Sequence, residues 1–323
     1  MTASRSRHLV DPGFVGFLDL FPKVVLSDET LQTMRIGGMT PPASPENIER
    51  VERTERMVSG PAGAPEVELL VYRPREAVGQ LPCIFHIHGG GFVAGVAQQF
   101  DGQLREWAAS LDCVVTSVNY RLAPETRFPG AIEDCYAALT WLFANAATLG
   151  VDAARIGVKG ESAGGGLAAS LALLVRDRGE YALSFQSLTY PMLDDRSCVR
   201  QANPFAGEFL WTTPHNAYGW RSLLGVEPGA ADVSPYAAPA RAEDLSGLPP
   251  TFLMTGALDL FVDETIDYAR RLIRAGTPCE LHVYPGGPHG FDVFRGVAVS
   301  DAARRATHEA LRRALNPAEL SDR

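Results

Sequence analysis

Cysteine is scarce and unpaired in this chain. There are five, Cys83, Cys113, Cys135, Cys198 and Cys279, and no CxxC among them. An odd count without close spacing excludes a disulfide framework and a thiolate zinc site, and fits free thiols in a reducing cytoplasm. Cys83 and Cys113 lie in apolar, strand-like runs and are expected in the core. Clustered positive charge is missing too. No run of five basic residues occurs, and 29 Lys and Arg against 38 Asp and Glu leave a net charge of −9. That balance argues against nucleic acid or an anionic membrane as the main partner. The longest apolar run, Leu167 to Val175, has about half the length a bilayer span needs. The basic N-terminal stretch MTASRSRHLVDPGF has no apolar segment behind it to make a secretory signal. Neither a phosphate-cradling GxxxxGK[ST] nor a GxGxxG after a first strand is present, so no nucleotide is implied. These absences predict a cytoplasmic protein with no cofactor and no metal.

What is present is an ordinary globular composition, 46% hydrophobic and 21% charged over 323 residues. That is enough chain for a large core and a pocket, and for one long α/β unit or two domains. Residues 1–60 carry mixed charge (IERVERTERM) and a Pro-rich break (MTPPASPEN), and are read as short amphipathic helices rather than core strands. From Glu66 the pattern changes. EVELLVYRP, LPCIFHIHGG, CVVTSVNYRLAP, ARIGVKG, SFQSLTYPML, PPTFLMTGALD and CELHVYPGG read as strands. Helical stretches alternate with them: AIEDCYAALTWLFANAATLG, with Gly150 as its stop, then AGGGLAASLALLVRDRG, DETIDYARRLIRAG and a last helix over Asp301 to Leu315. Such alternation implies a mostly parallel sheet with helices on both faces. The segment 194–245 breaks the rhythm. It is too long for a structureless loop, and is read as helices outside the sheet. The resulting division places a cap in 1–60 and 194–245, and an α/β core in 61–193 and 246–323.

The motif that raises a chemical question is Gly160-Glu161-Ser162-Ala163-Gly164, between the strand IGV and a small-residue helix. A sharp strand-to-helix turn lifts the hydroxyl at the sheet's C-terminal edge, and glycines two residues away let strand and helix approach. The new helix's free N–H groups favour a developing negative charge. The competing interpretation is a Gly-rich helix start that merely packs on the sheet. A serine nucleophile needs a base and an orienting acid, following it in the order Asp or Glu, then His. Of seven histidines, His8, His86 and His88 precede Ser162, His215 lies in the irregular segment, His282 in a strand and His308 on a polar helix face. His289, in YPGGPHGF after a strand end, is the expected base. Asp259, which ends TFLMTGALD thirty residues earlier, is the expected acid. Asp263, Glu264 and Asp267 read as first-turn acids of the next helix, and Asp194 and Asp195 are weaker rivals. His88-Gly89-Gly90-Gly91-Phe92, after the strand CIFHI, offers bare backbone N–H groups to a substrate oxygen. Trp211, Phe205, Phe209, Tyr218 and Trp220 either line a pocket, Trp211 and Phe209 foremost, or form the core of the cap.

Taken together, HGGGF (88–92), NYRLAPE (119–125), GESAGGG (160–166), TGALDLFVDE (255–264) and GGPHGF (286–291) resemble the bacterial hormone-sensitive-lipase-like esterases, over about Pro82 to Phe291. The resemblance implies an α/β-hydrolase fold with an N-terminal helical cap, and a serine carboxylesterase acting on short acyl esters. It implies Ser162 as nucleophile, Asp259 as orienter, His289 as base, and Gly90, Gly91 and the N–H of Ala163 as oxyanion hole. Arg121 and Glu125 would brace the loop beside the site. Within the family the chain looks most similar to acetyl esterases, including the heroin-esterase type. Two positions depart from the usual pattern: Leu-Phe follows Asp259 where the family often has Pro-Leu, and Glu161 stands where Asp is frequent. The same three groups also serve amide, lactone and carbamate hydrolysis, and a non-catalytic binder is a further alternative. A small ester is the expected partner, and the last strand or last helix could pair in a homodimer.

Overall fold

The run LPCIFHI is apolar on both faces, and only its first residue is even half-exposed. A strand of that kind belongs in the middle of a sheet covered on both sides. The computed structural model describes residues 4–20, 24–36 and 41–316, and puts this run there. The strands are β1 (Val51–Val58), β2 (Val67–Pro74), β3 (Leu81–Ile87), β4 (Val114–Asn119), β5 (Val151–Glu161), β6 (Gln186–Thr189), β7 (Thr251–Gly256) and β8 (Cys279–Tyr284). They form one sheet in the order β1-β2-β4-β3-β5-β6-β7-β8. β1/β2 and β2/β4 pair antiparallel, and all other neighbours pair parallel.

The α-helices are α1 (Pro12–Leu20), α2 (Leu31–Ile36), α3 (Pro45–Arg50), α4 (Asp101–Leu111), α5 (Gly130–Leu149), α6 (Ala163–Arg178), α7 (Thr213–Leu224), α8 (Val262–Arg274) and α9 (Ala298–Leu315). Side-chain alternation divides the core between the two faces. Leu69 and Val71 of β2 belong to the core cluster shared with α5, α6 and α8, whereas Leu70 and Tyr72 belong to the one shared with α4 and the end of α9. α5 buries Ile132, Cys135, Leu139 and Leu142 along one stripe and stops where Gly150 adopts a left-handed φ of 63°. Each such side chain contributes about 1.5–3 kcal/mol by leaving water. Cys83 and Cys113 are fully buried. No helix among the described residues is long and apolar enough to cross a membrane.

Three details differ from the sequence reading. IERVERTERM is not helical throughout: α3 ends at Arg50, and residues 51–58 are strand β1, paired along its length with β2. The pattern hides this because β1 is an edge strand, with only Val51 and Val58 buried and charges on both faces, as exposed edges commonly carry. SFQSLTYPML yields only the four residues of β6, because Tyr190 turns into a left-handed backbone (φ 33°) and Pro191 follows. The segment 194–245 holds one α-helix, α7, outside the sheet. Part of the expected N-terminal cap (residues 1–3, 21–23 and 37–40) and the C-terminal residues 317–323 lie outside the described residues.

Candidate active site

Three loops meet at the C-terminal edge of the central strands. The first follows β5. At Ser162 the backbone takes φ 56° and ψ −123°, a conformation that L-residues adopt only where surrounding structure enforces it. The enforcement is visible. The Ser162 N–H donates to Thr189 O (2.9 Å), and Met192 and Gly166 N–H donate to Ser162 O (2.9 and 3.0 Å). A Cβ at Gly160 would sit 2.1 Å from Gly164 O, and one at Gly164 would sit 2.1 Å from Ile87 O. Glycine is therefore required at both positions for β5, α6 and β3 to approach this closely.

The second and third loops follow β7 and β8. Ser162 Oγ lies 2.9 Å from His289 Nε2, and His289 Nδ1 lies 2.9 Å from Asp259 Oδ2. Asp259 is fully buried, and its Oδ1 accepts the Phe261 N–H at 2.9 Å. A carboxylate only accepts, so Nδ1 of His289 carries the proton and Nε2 presents a lone pair to the serine hydroxyl. The imidazole is boxed by rings: Tyr190 at 4.7 Å and an interplanar angle of 63°, Phe261 at 5.2 Å and near-perpendicular, and Trp211 at 6.3 Å between centroids. The acid rivals are engaged elsewhere. Asp194 pairs with Arg196 and Arg200, Asp195 with Arg241, and Asp267 with Arg270. Asp263 accepts from Asn203, and Glu264 accepts the Leu193 and Asp194 N–H groups. Among the other histidines, His215 bonds Val24 O, His282 bonds Glu280 and His308 bonds Ser110.

The glycine loop after β3 faces Ser162 from the other side. Gly90 and Gly91 have φ values of 126° and 62°. A Cβ on Gly90 would meet Ala94 O at 2.0 Å, and one on Gly91 would meet the Trp211 ring at 2.1 Å. So the indole lies directly on Gly91, and Trp211 reaches the site. Phe209 packs against the core cluster that includes Tyr190, Phe14 and Leu258, Trp220 is fully buried against Phe92, Tyr218 donates to Asp28, and Phe205 is exposed. His88 braces the loop. Its Nδ1 bonds Gly89 O at 2.9 Å, its ring stacks on Tyr120 at 4.3 Å, and Tyr120 donates to His88 O. Burial lowers its pKa to about 4, so it stays neutral.

Arg35 of α2 clamps the same loop. Its guanidinium donates to Val93 O and Ala123 O and grips Glu125 with two bonds of 2.7 Å. The hydrogen bond from Arg35, which outweighs the opposing effect of burial, holds the Glu125 carboxyl down to about 2. Arg121 is fixed by two bonds to buried Asp134. Glu125 and Arg121 were expected to brace this region, whereas Arg35 sits in the N-terminal stretch, where the sequence offers no pattern that marks it.

Beneath Ser162 lies a buried polar group that motif reading missed. Glu161 Oε1 accepts from Lys159 Nζ, and Oε2 accepts from His86 Nε2, both at 2.8 Å. His86 Nδ1 meets Ser117 Oγ at 2.8 Å, and Lys159 also donates to Thr189 Oγ1 and stands over the Trp107 ring. One signal could have found it: Lys159 is one of only two lysines in the chain, and interrupts an apolar strand. No group of three or more metal-ligating side chains occurs among the described residues.

Comparison with known proteins agrees with this fold. An α/β-hydrolase-fold family profile matches residues 84–293. The carboxylesterase NlhH of Mycobacterium tuberculosis is 36% identical over 321 residues, covering 96% of this chain and 98% of that one. The esterase LipI of the same organism is 35% identical over 305 residues, covering 94% and 93%. Among solved structures, a bacterial heroin esterase superposes with a TM-score of 0.88 at 40% identity, over 95% of this chain and 98% of the other. Esterase LipW from Mycobacterium marinum gives 0.81 at 32% identity, covering 97% and 98%.

Proposed function

The chain belongs to the α/β-hydrolase-fold family, in its hormone-sensitive-lipase-like branch, and from that premise we propose that it is a carboxylesterase for short-chain acyl esters, with Ser162 as nucleophile, His289 as general base and acid, and Asp259 as orienter. The observation that carries this reading is the unbroken line from Ser162 Oγ through His289 to Asp259, two contacts of 2.9 Å with the imidazole tautomer fixed by a buried carboxylate.

In the first half-reaction Ser162 Oγ bonds to the ester carbonyl carbon while its proton moves to His289 Nε2. Asp259 stabilises the resulting imidazolium. The carbonyl oxygen becomes an oxyanion and accepts from the amides of Gly90, Gly91 and Ala163, which donate to no acceptor found among the described residues. Collapse breaks the ester C–O bond, and the alcohol leaves with the proton from Nε2. Water, deprotonated by the same nitrogen, then attacks the acyl-serine and releases the acid.

The N-terminal helices up to Arg50, together with residues 194–245, form the cap in this reading. They are tied to each other: Glu208 accepts the Arg5 and Ser6 N–H groups, His215 bonds Val24 O, and Tyr218 bonds Asp28. Trp211, carried by this cap and resting on Gly91, walls the site beside the oxyanion donors and favours short acyl groups.

The test is an acyl-chain series of p-nitrophenyl esters from acetyl to dodecanoyl, with a fluorophosphonate probe read by peptide mass spectrometry. Acetyl to butyryl esters are expected to turn over fastest, with kcat/KM down by about tenfold or more at dodecanoyl, and the probe is expected on Ser162. Labelling elsewhere, or a preference for the longest chains, would contradict the proposal.

A further inference from the structure

Tyr190 is the first residue after β6, and it stands between the two halves of the site. Its flanking backbone holds the serine turn: Thr189 O accepts the Ser162 N–H, and Met192 N–H donates to Ser162 O, both at 2.9 Å. Its ring packs edge-on against His289, 4.7 Å between centroids at an interplanar angle of 63°. Its backbone sits at φ 33°, a left-handed conformation rare for an aromatic residue. Ordinary core packing does not require that. An unfavourable backbone kept at a functional site points to a role that the site needs.

The phenol is tied as firmly as the ring. Its O–H donates to Asp292 Oδ1 at 2.7 Å. Burial foremost, then the charge of Asp292, pushes the Tyr190 hydroxyl well above its ordinary range, so it remains a donor. Asp292 lies three residues after His289, in the short turn Phe291–Val293. That turn is pinned to α9: Ser300 Oγ donates to Phe291 O at 2.6 Å and Arg304 to Asp292 O at 2.9 Å. Asp292 shares a cleft between α4 and α9, about 70 Å³ in volume, with Lys159, Trp107 and Arg304.

We propose that Tyr190 is a positioning residue for His289, latched to the loop that carries the base by its hydrogen bond to Asp292, and that it sets the imidazole's tilt while Asp259 sets its rotation. The inference rests on the assignment of His289 as the base. A ring held only at Nδ1 can swing about that hydrogen bond. Tyr190, the nearest of the three rings around it, limits that swing together with Phe261 and Trp211, and the Asp292 latch keeps the Tyr190 ring from drifting. The same residue spans the serine turn, so the distance from Oγ to Nε2 is set through one rigid segment.

The test compares Tyr190→Phe, which keeps the ring and loses the latch, with Asp292→Asn, which keeps an acceptor oxygen and loses the charge. For p-nitrophenyl acetate, Tyr190→Phe is expected to lower kcat by about tenfold with KM changed by less than about twofold, as misorientation of a reacting group does. The rate constant for fluorophosphonate labelling should fall by the same factor, while the fraction of protein that can be labelled stays complete. Asp292→Asn should keep more than about half of the parental kcat. Parental kcat in Tyr190→Phe, or a loss accounted for by fewer labelable molecules, overturns the proposal. So does an Asp292→Asn variant as slow as Tyr190→Phe, because charge rather than the latch would then matter. Ser162→Ala, assayed alongside, separates the two claims: parental activity in that variant would sink the nucleophile assignment itself, whereas an inactive Ser162→Ala beside a fully active Tyr190→Phe sinks only this inference.

Discussion

Replacing Ser162 with alanine is expected to lower kcat for a short ester by about 10⁵- to 10⁶-fold, roughly 7–8 kcal/mol of barrier. The size follows from what the hydroxyl does. In the proposed mechanism it supplies the attacking atom, and its hydrogen-bonded neighbour His289, with Nε2 at 2.9 Å, acts as its base. The loss is not total, because the amides of Gly90, Gly91 and Ala163 would still polarise a bound carbonyl, and such donors alone leave rates about 10³- to 10⁴-fold above water. Steady-state hydrolysis of p-nitrophenyl acetate, corrected for the spontaneous reaction, measures the effect.

The fold should not report the change. Ser162 Oγ has His289 as its side-chain partner, and the turn is held by main-chain bonds to Thr189 O and from Met192 N–H. Alanine occupies the same space and meets the same backbone penalty at φ 56°. An unchanged melting temperature with lost fluorophosphonate labelling is therefore the expected pair of results. A variant that retains more than about a tenth of the activity would require another nucleophile.

That Ser162, Asp259 and His289, the proposed reacting groups, come together was legible in the sequence because each is placed by local rules. A serine between glycines at a strand-to-helix junction, and an acid and a histidine at the ends of successive strands, are short-range patterns that parallel α/β topology converts into one place. The sheet was legible for the same reason wherever strands are buried on both faces. β1 was not, because an exposed edge strand carries no alternation and its pairing with β2 comes from the backbone. The Arg35 clamp and the Tyr190–Asp292 latch were not legible either. Each joins residues far apart in the chain, 90 positions for Arg35 and Glu125 and 102 for Tyr190 and Asp292, and nothing local at either end announces the other. Glu161 was visible only as a departure from the family's usual aspartate; the structure gives that longer carboxylate two buried partners.

Those partners make Lys159→Met the variant with the largest expected effect on stability, about 3–5 kcal/mol at neutral pH. Lys159 is 1% exposed and Glu161 5%. Desolvation alone would raise the Glu161 carboxyl, but the charges of Lys159 and His86, with their hydrogen bonds, outweigh it and hold the group down to about 2. A folded-state value below the unfolded one means that ionised Glu161 stabilises the protein above about pH 4.5, and that this contribution is lost as pH falls from there toward 2. Methionine fills the lysine's volume and rests on Trp107, yet it leaves the carboxylate buried with His86 as its remaining partner. Desolvation then dominates and the folded-state value rises. The gap between parent and variant should thus be widest at pH 7 and narrow as Glu161 becomes protonated near pH 4. Urea unfolding at both pH values measures it. The double variant Lys159→Met/Glu161→Gln should recover part of the loss at pH 7, since it removes the orphaned charge as well as its partner. A single variant with a parental midpoint at pH 7, or a penalty that grows on acidification, would show that the pair contributes nothing through charge.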